Sequence, residues 1–122
     1  MTIPNDYKDI VTTLLEKTNN GRVHWKKGRF GIEVQVDKSG FKLWSGTDEH
    51  TDEAFVGFAL TDMKGATMDS WYVDASDSDF DSMNLLFAAA KRYAYGIPQR
   101  LTELKEAMSN QEYLGSPEED DL

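Results

Sequence analysis

Phe30-Gly31-Ile32-Glu33-Val34-Gln35-Val36 sets Phe30, Ile32, Val34 and Val36 at alternate positions against Gly31, Glu33 and Gln35. A period of two is the mark of a strand with one buried face, because successive side chains of an extended chain point to opposite sides. Upstream the period is helical. Tyr7, Ile10, Val11, Leu14 and Leu15 follow a polar Asn5-Asp6 start and stop at Asn19-Asn20-Gly21, which predicts an N-terminal helix. Strand character then sets in at Val23, takes in Trp25 and turns at Lys27-Gly28. Downstream, Asp37-Lys38-Ser39-Gly40 is turn chemistry and residues 41–44 read as a further strand. Residues 54–60 and 66–73 give two more around Thr61-Asp62-Met63-Lys64-Gly65, whose glycine suits the positive φ of a short hairpin loop.

Beyond the strands the helical period returns. Asp74-Ala75-Ser76-Asp77-Ser78-Asp79 supplies N-cap residues and an acidic first turn, which the positive end of a helix dipole favours. The expected buried stripe is Phe80, Met83, Phe87, Ala90 and Ala94, flanked by Leu86 and Tyr93. Gly96 ends this helix, and Pro98 opens a last one through Leu101, Leu104 and Met108 to about Asn110. The fold class is therefore α+β: an N-terminal helix, an antiparallel meander of four or five strands, and two C-terminal helices packed on the sheet. Residues 1–114 form one domain in this reading, and 115–122 an acidic flexible tail with little to bury. The strand at 54–60 is apolar at both parities, with Val56, Phe58 and Leu60 on one side and Phe55, Gly57 and Ala59 on the other. A half-solvated sheet alternates instead, so either a helix or a second molecule is expected over the back, where Trp44 and Trp71 are also expected to point.

Leu14-Leu15-Glu16 runs into a polar turn, Trp25 stands in the first strand, and Leu85-Leu86 lies in the helix after the meander. This layout resembles small uncharacterised bacterial single-domain proteins of the same α, meander, α, α order. The resemblance implies the fold and no activity.

Charge is sorted along the chain. Residues 48–81 hold ten acids against the single base Lys64, residues 1–47 carry eight bases against five acids, and Glu118, Glu119, Asp120 and Asp121 close the sequence, for a net charge of −9. At 122 residues and 39% hydrophobic content, that charge sits on a foldable core. With no cysteine, disulfides, thiolate nucleophiles and thiolate metal sites are excluded. The N-terminus lacks a basic and apolar leader, and no apolar run approaches the ~20 residues of a membrane span, so a cytoplasmic protein without membrane attachment is expected.

Each motif has a plainer competitor. The stretch Arg22-Val23-His24-Trp25-Lys26-Lys27-Gly28-Arg29-Phe30-Gly31 interleaves bases and aromatics as single-strand nucleic-acid binders do. Arg29 interrupts the Gly-aromatic step of the RNA-recognition signature, and Ile32 and Val34 stand where stacking rings belong. The net charge opposes phosphate elsewhere, so direct nucleic-acid binding is disfavoured and Trp25 and Phe30 are expected in or near the core. Glu49-His50-Thr51-Asp52-Glu53 holds metal-ligand chemistry without ligand spacing, because the other histidine, His24, lies on another strand. Asp74 to Asp79 spaces oxygens like a calcium loop but has Asp79 where the sharp turn needs glycine and Leu85 where a bidentate Glu belongs. No nucleophile with its base and no phosphate cradle occurs, so no catalytic residue, metal or cofactor is assigned.

The expectation is a non-enzymatic protein-protein interaction module, self-associating as a homodimer or capping a protein partner through the sheet face. Trp44, Phe55 and Trp71 are its apolar anchors, and Asp48, Glu49, Asp52 and Glu53 orient the encounter. The competing readings are an acidic nucleic-acid mimic that inhibits a DNA- or RNA-binding protein, and a small-ligand-binding domain or enzyme.

Overall fold

A computed structural model describes residues 2–115. A 3-10 turn at Asn5–Tyr7 leads into α1 (Lys8–Asn19). Five strands follow, β1 (Lys26–Lys27), β2 (Ile32–Val36), β3 (Ser39–Thr47), β4 (Ala54–Thr61) and β5 (Thr67–Asp74), then α2 (Phe80–Ala94) and α3 (Ile97–Asn110). The strands form one antiparallel sheet in the order β1-β2-β3-β4-β5, so the chain is the α+β meander that its periodicities predict. Of the acidic tail expected at 115–122, only Gly115 falls among the described residues.

Two turns fix the register. Val36 pairs with Ser39, so Asp37 and Lys38 alone make the β2–β3 turn, with Asp37 at φ 55°. The turn is tighter than the sequence suggests and β3 correspondingly longer, because a short polar side chain tolerates the left-handed region that a two-residue hairpin needs. At the β4–β5 turn the Asp62 carboxylate accepts the N–H groups of Lys64 (2.8 Å) and Ala66 (3.0 Å), and Gly65 takes φ 86° as expected.

One face of the sheet carries the core. Ile32, Val34, Phe41, Leu43, Val56, Phe58, Trp71 and Val73 point to the side where Tyr7, Val11 and Leu14 meet Met83, Leu86 and Ala90. Phe58 is the hub: its ring stacks on Trp71 at 4.9 Å, meets the edge of Tyr7 at 5.5 Å and tilts on Phe41 at 5.2 Å. Trp71 therefore faces the helices and not the back of the sheet. It is paired with Phe58 in register, and directly opposed residues share a face.

The helices depart from expectation in detail. The buried line of α2 is Met83, Leu86 and Ala90, with Phe80, Phe87 and Ala94 half-buried, so Leu86 is its centre and not its flank. Asp79 is the N-cap residue, but its carboxylate accepts the Ile3 N–H (2.9 Å) and ties the N-terminal segment to the start of α2. Trp25 lies just before the two-residue β1, buried, with its indole N–H donating to Thr18 Oγ1 at 2.9 Å. Phe30 is 83% exposed and does not join the core. α2 packs on the sheet and on α1, whereas α3 joins that layer through α2 and buries none of its residues.

Candidate functional site

The back of the sheet builds its own aromatic surface. Trp44, Gly57 and Tyr72 stand opposite one another across β3, β4 and β5, and Gly46, Phe55 and Asp74 form the next row. Trp44 lies across Gly57, so that a Cβ at 57 would run into the indole ring. Phe55 lies across Gly46 in the same way, its Cζ 2.9 Å from where a Cβ would sit. Glycine is required at both positions because the neighbouring ring occupies the space above the backbone. Phe55 then meets Tyr72 edge-on at 5.9 Å. The apolar residues at the second parity of β4 are explained: its small residues Gly57 and Ala59 are buried beneath larger neighbours. Among the described residues every helix belongs to the other side of the sheet, and the rings themselves remain open, with Trp44 and Phe55 half-buried and Tyr72 46% exposed.

A shallow depression of about 490 Å³ lies on this face, lined by Trp44, Asp48, Phe55, Ser70, Trp71 and Tyr72. Its rim is acidic. Asp48, which lines it, follows the end of β3, and Asp74 pairs with Phe55 in register while its carboxylate is held by the Ser76 N–H and hydroxyl. The loop holds Asp48 in place, since its Oδ1 accepts the N–H groups of His50 (2.8 Å) and Thr51 (3.3 Å) and its own N–H donates to the Glu53 carbonyl (2.9 Å). Of the expected anchors, Trp44, Phe55 and Asp48 thus come together, and Glu49, Asp52 and Glu53 share the Asp48 loop. Trp71 borders the depression from β5 with its ring turned into the core. Tyr72 was missed. Its signal was the pair Trp71-Tyr72, since adjacent strand residues must face opposite ways and only one ring can be in the core.

The sorted acids have local work. Asp48, Asp62, Asp69, Asp74, Asp77 and Asp79 each accept at least one backbone N–H, so six of the ten acids of residues 48–81 are bonded to the backbone of their own chain. Asp69 also accepts the Tyr7 hydroxyl at 2.8 Å. Burial first, and then that bond and the charge of Asp69, push the Tyr7 hydroxyl up to about 12. Among the described residues, no cluster of three His, Asp or Glu side chains could hold a metal ion.

Two other surfaces have a different character. An apolar groove of about 630 Å³ opens where the chain splays from β2, floored by Ile10, Leu14, Val23, Val34, Val36 and Phe41 and rimmed by Lys17, Arg22 and Lys26. At the β1 edge, Lys27 and Lys91 lie 5.0 and 5.7 Å over the Tyr95 ring and Arg29 lies 5.3 Å from that of Phe30. Of the bases in the segment weighed above as a nucleic-acid motif, Lys27 and Arg29 are thus engaged with surface aromatics, while Arg22 and Lys26 line the groove. Among the described residues no helix is long and apolar enough to cross a membrane. Comparison of the chain with protein-family models, curated proteins and solved structures finds no significant match in any of the three.

Proposed function

We propose that this chain is a protein-binding module that acts by association rather than catalysis, and that it self-associates through the back face of its sheet. The observation that carries this reading is the aromatic surface in which Trp44 and Phe55 lie on glycines, Tyr72 meets Phe55 edge-on, and Asp48 stands at the rim. Rings fixed by strands lose little freedom on binding, which is what an interface anchor needs. The bonding of six acids to backbone N–H groups supports this over nucleic-acid mimicry, because a mimic has to offer its carboxylates outward at regular spacing. Zero cysteines fit a reducing compartment such as the cytoplasm, where this reading puts the module. Light scattering at micromolar concentration is expected to give about twice the 13.8 kDa of one chain. Tyr72→Lys, on an exposed position, is expected to lower that mass toward one chain with the circular dichroism spectrum unchanged. A wild-type protein that stays monomeric and binds no partner through this face would sink the proposal.

A further inference from the structure

α3 is supported within its own chain through α2 alone, among the described residues. Leu101, Leu104 and Met108 recur at i, i+3 and i+7 and form one stripe, yet they are 41%, 43% and 53% exposed. Among the described residues α3 approaches α2 and no other element. A helix of 14 residues is marginal in water without a surface to pack on, so the stripe marks a missing contact. At ~100° per residue, Arg100 and Lys105 border the stripe on its two sides, while Glu103 and Glu106 fall on the opposite half of the helix. Arg100 pairs with Glu103 at 3.2 Å in an exposed contact on its own helix.

We infer that α3 of a second copy docks its Leu101, Leu104 and Met108 stripe on the back of the sheet, over Trp44, Phe55 and Tyr72. Lys105 then faces the acidic loop that begins at Asp48. The inference rests on the self-association proposed above and names the element that makes it. Charge favours this face, because the groove between α1 and β2 carries Lys17, Arg22 and Lys26 against the single acid Asp9 and so opposes the basic borders of α3. Length agrees as well: Leu101 to Met108 span about 10 Å along the helix, and β3 to β5, which carry the three rings, span about 10 Å at ~4.8 Å spacing. A copy cannot make this contact with itself, since α2 holds α3 in the helical layer on the other side of the sheet. Exchange in both directions gives a two-fold dimer in which each chain offers one helix and one sheet face.

The experiment is light scattering on four samples: wild type, Leu104→Asp, Tyr72→Lys, and an equimolar mixture of the two variants. Both positions are exposed, and circular dichroism checks that each variant is folded. Wild type is expected to be dimeric, with each variant alone weakened by about thirtyfold or more, as for the loss of a central anchor. The mixture is expected to recover a heterodimer through its one intact helix-to-sheet contact, and Lys105→Glu to weaken the dimer several-fold. If Leu104→Asp stays dimeric while Tyr72→Lys does not, the sheet faces meet each other; self-association then stands and the docking of α3 falls. If Val36→Asp dissociates the dimer and Tyr72→Lys leaves it intact, α3 occupies the other groove and the inference is overturned. A monomeric wild type overturns both.

Discussion

Tyr7 shows how one side chain joins three parts of the molecule, with its ring against Phe58 and Trp71 and its hydroxyl on Asp69 across 62 residues of sequence. The folded chain holds the Tyr7 proton up to about pH 12 and the unfolded chain releases it near pH 10. The folded state therefore binds the extra proton in that window, and the contribution of Tyr7 to stability is complete below pH 10 and lost as pH rises from 10 through 12. Tyr7→Phe is expected to cost about 1 kcal/mol at neutral pH and to flatten the fall in denaturation midpoint between pH 10 and 12. An unchanged slope in the variant would mean that other groups cause the fall. The two buried tryptophans make a second contrast. The Trp25 indole N–H donates to the fully buried Thr18, whereas that of Trp71 is buried and makes no hydrogen bond among the described residues. Trp25→Phe strands a hydroxyl in the interior and Trp71→Phe relieves an unsatisfied donor. Chemical denaturation is expected to show the first as the costlier by about 1 to 2 kcal/mol, and equal losses would contradict that account.

β4 makes the same point at the level of an element, because its two parities serve different surfaces: Val56 and Phe58 fill the core, and Gly57 lets Trp44 lie flat on the back. Gly57→Ala is expected to lift the indole off the sheet, shift tryptophan emission and cost about 1 to 3 kcal/mol. A spectrum like that of the wild type would show that Trp44 has room to move aside. The strands and α1 were legible in the sequence because periods of two and 3.6 are set by local geometry. Apolar residues at both parities of β4 also announced a second covered face. What covered it was not legible, since the cover is Trp44 and Phe55 lying across glycines of neighbouring strands, a relation that exists only once register is fixed. The same limit misplaced Trp71, because a Trp-Tyr pair in an edge strand reads equally well in either orientation until Phe58 is placed opposite. For α2 the stripe was drawn through Phe87, while the sheet and α1 together select Leu86, three residues from Met83 and four from Ala90. The pattern of α3 was legible as well, but how far its stripe is covered was not. Periodicity reports an apolar stripe but not which surface covers it, or on which molecule.

Across the whole molecule, charge and apolar surface are arranged so that attraction and adhesion come from different atoms. The acidic loop at 48–53 stands beside the aromatic depression, and bases gather at the far edge of the sheet around Lys27, Arg29 and Lys91. In the proposed dimer an approaching copy is expected to be oriented by long-range fields and held by ring and methyl contacts. Exposed charge pairs are screened over about 8 Å at physiological ionic strength, and each contributes at most about 1 kcal/mol. Apolar burial is not screened. Raising salt from low to moderate concentration is accordingly expected to slow association several-fold while the dimer mass at micromolar concentration stays unchanged. Neutralising Glu49, Asp52 and Glu53 together is expected to reduce the salt dependence of the association rate without lowering the mass, since Asp48, which the loop itself fixes, keeps its charge at the rim. Stopped-flow mixing and light scattering on the same samples separate the two effects. If the mass instead collapses with salt and survives Tyr72→Lys, the carboxylates hold the complex together, and the aromatic face is only the covered back of a sheet.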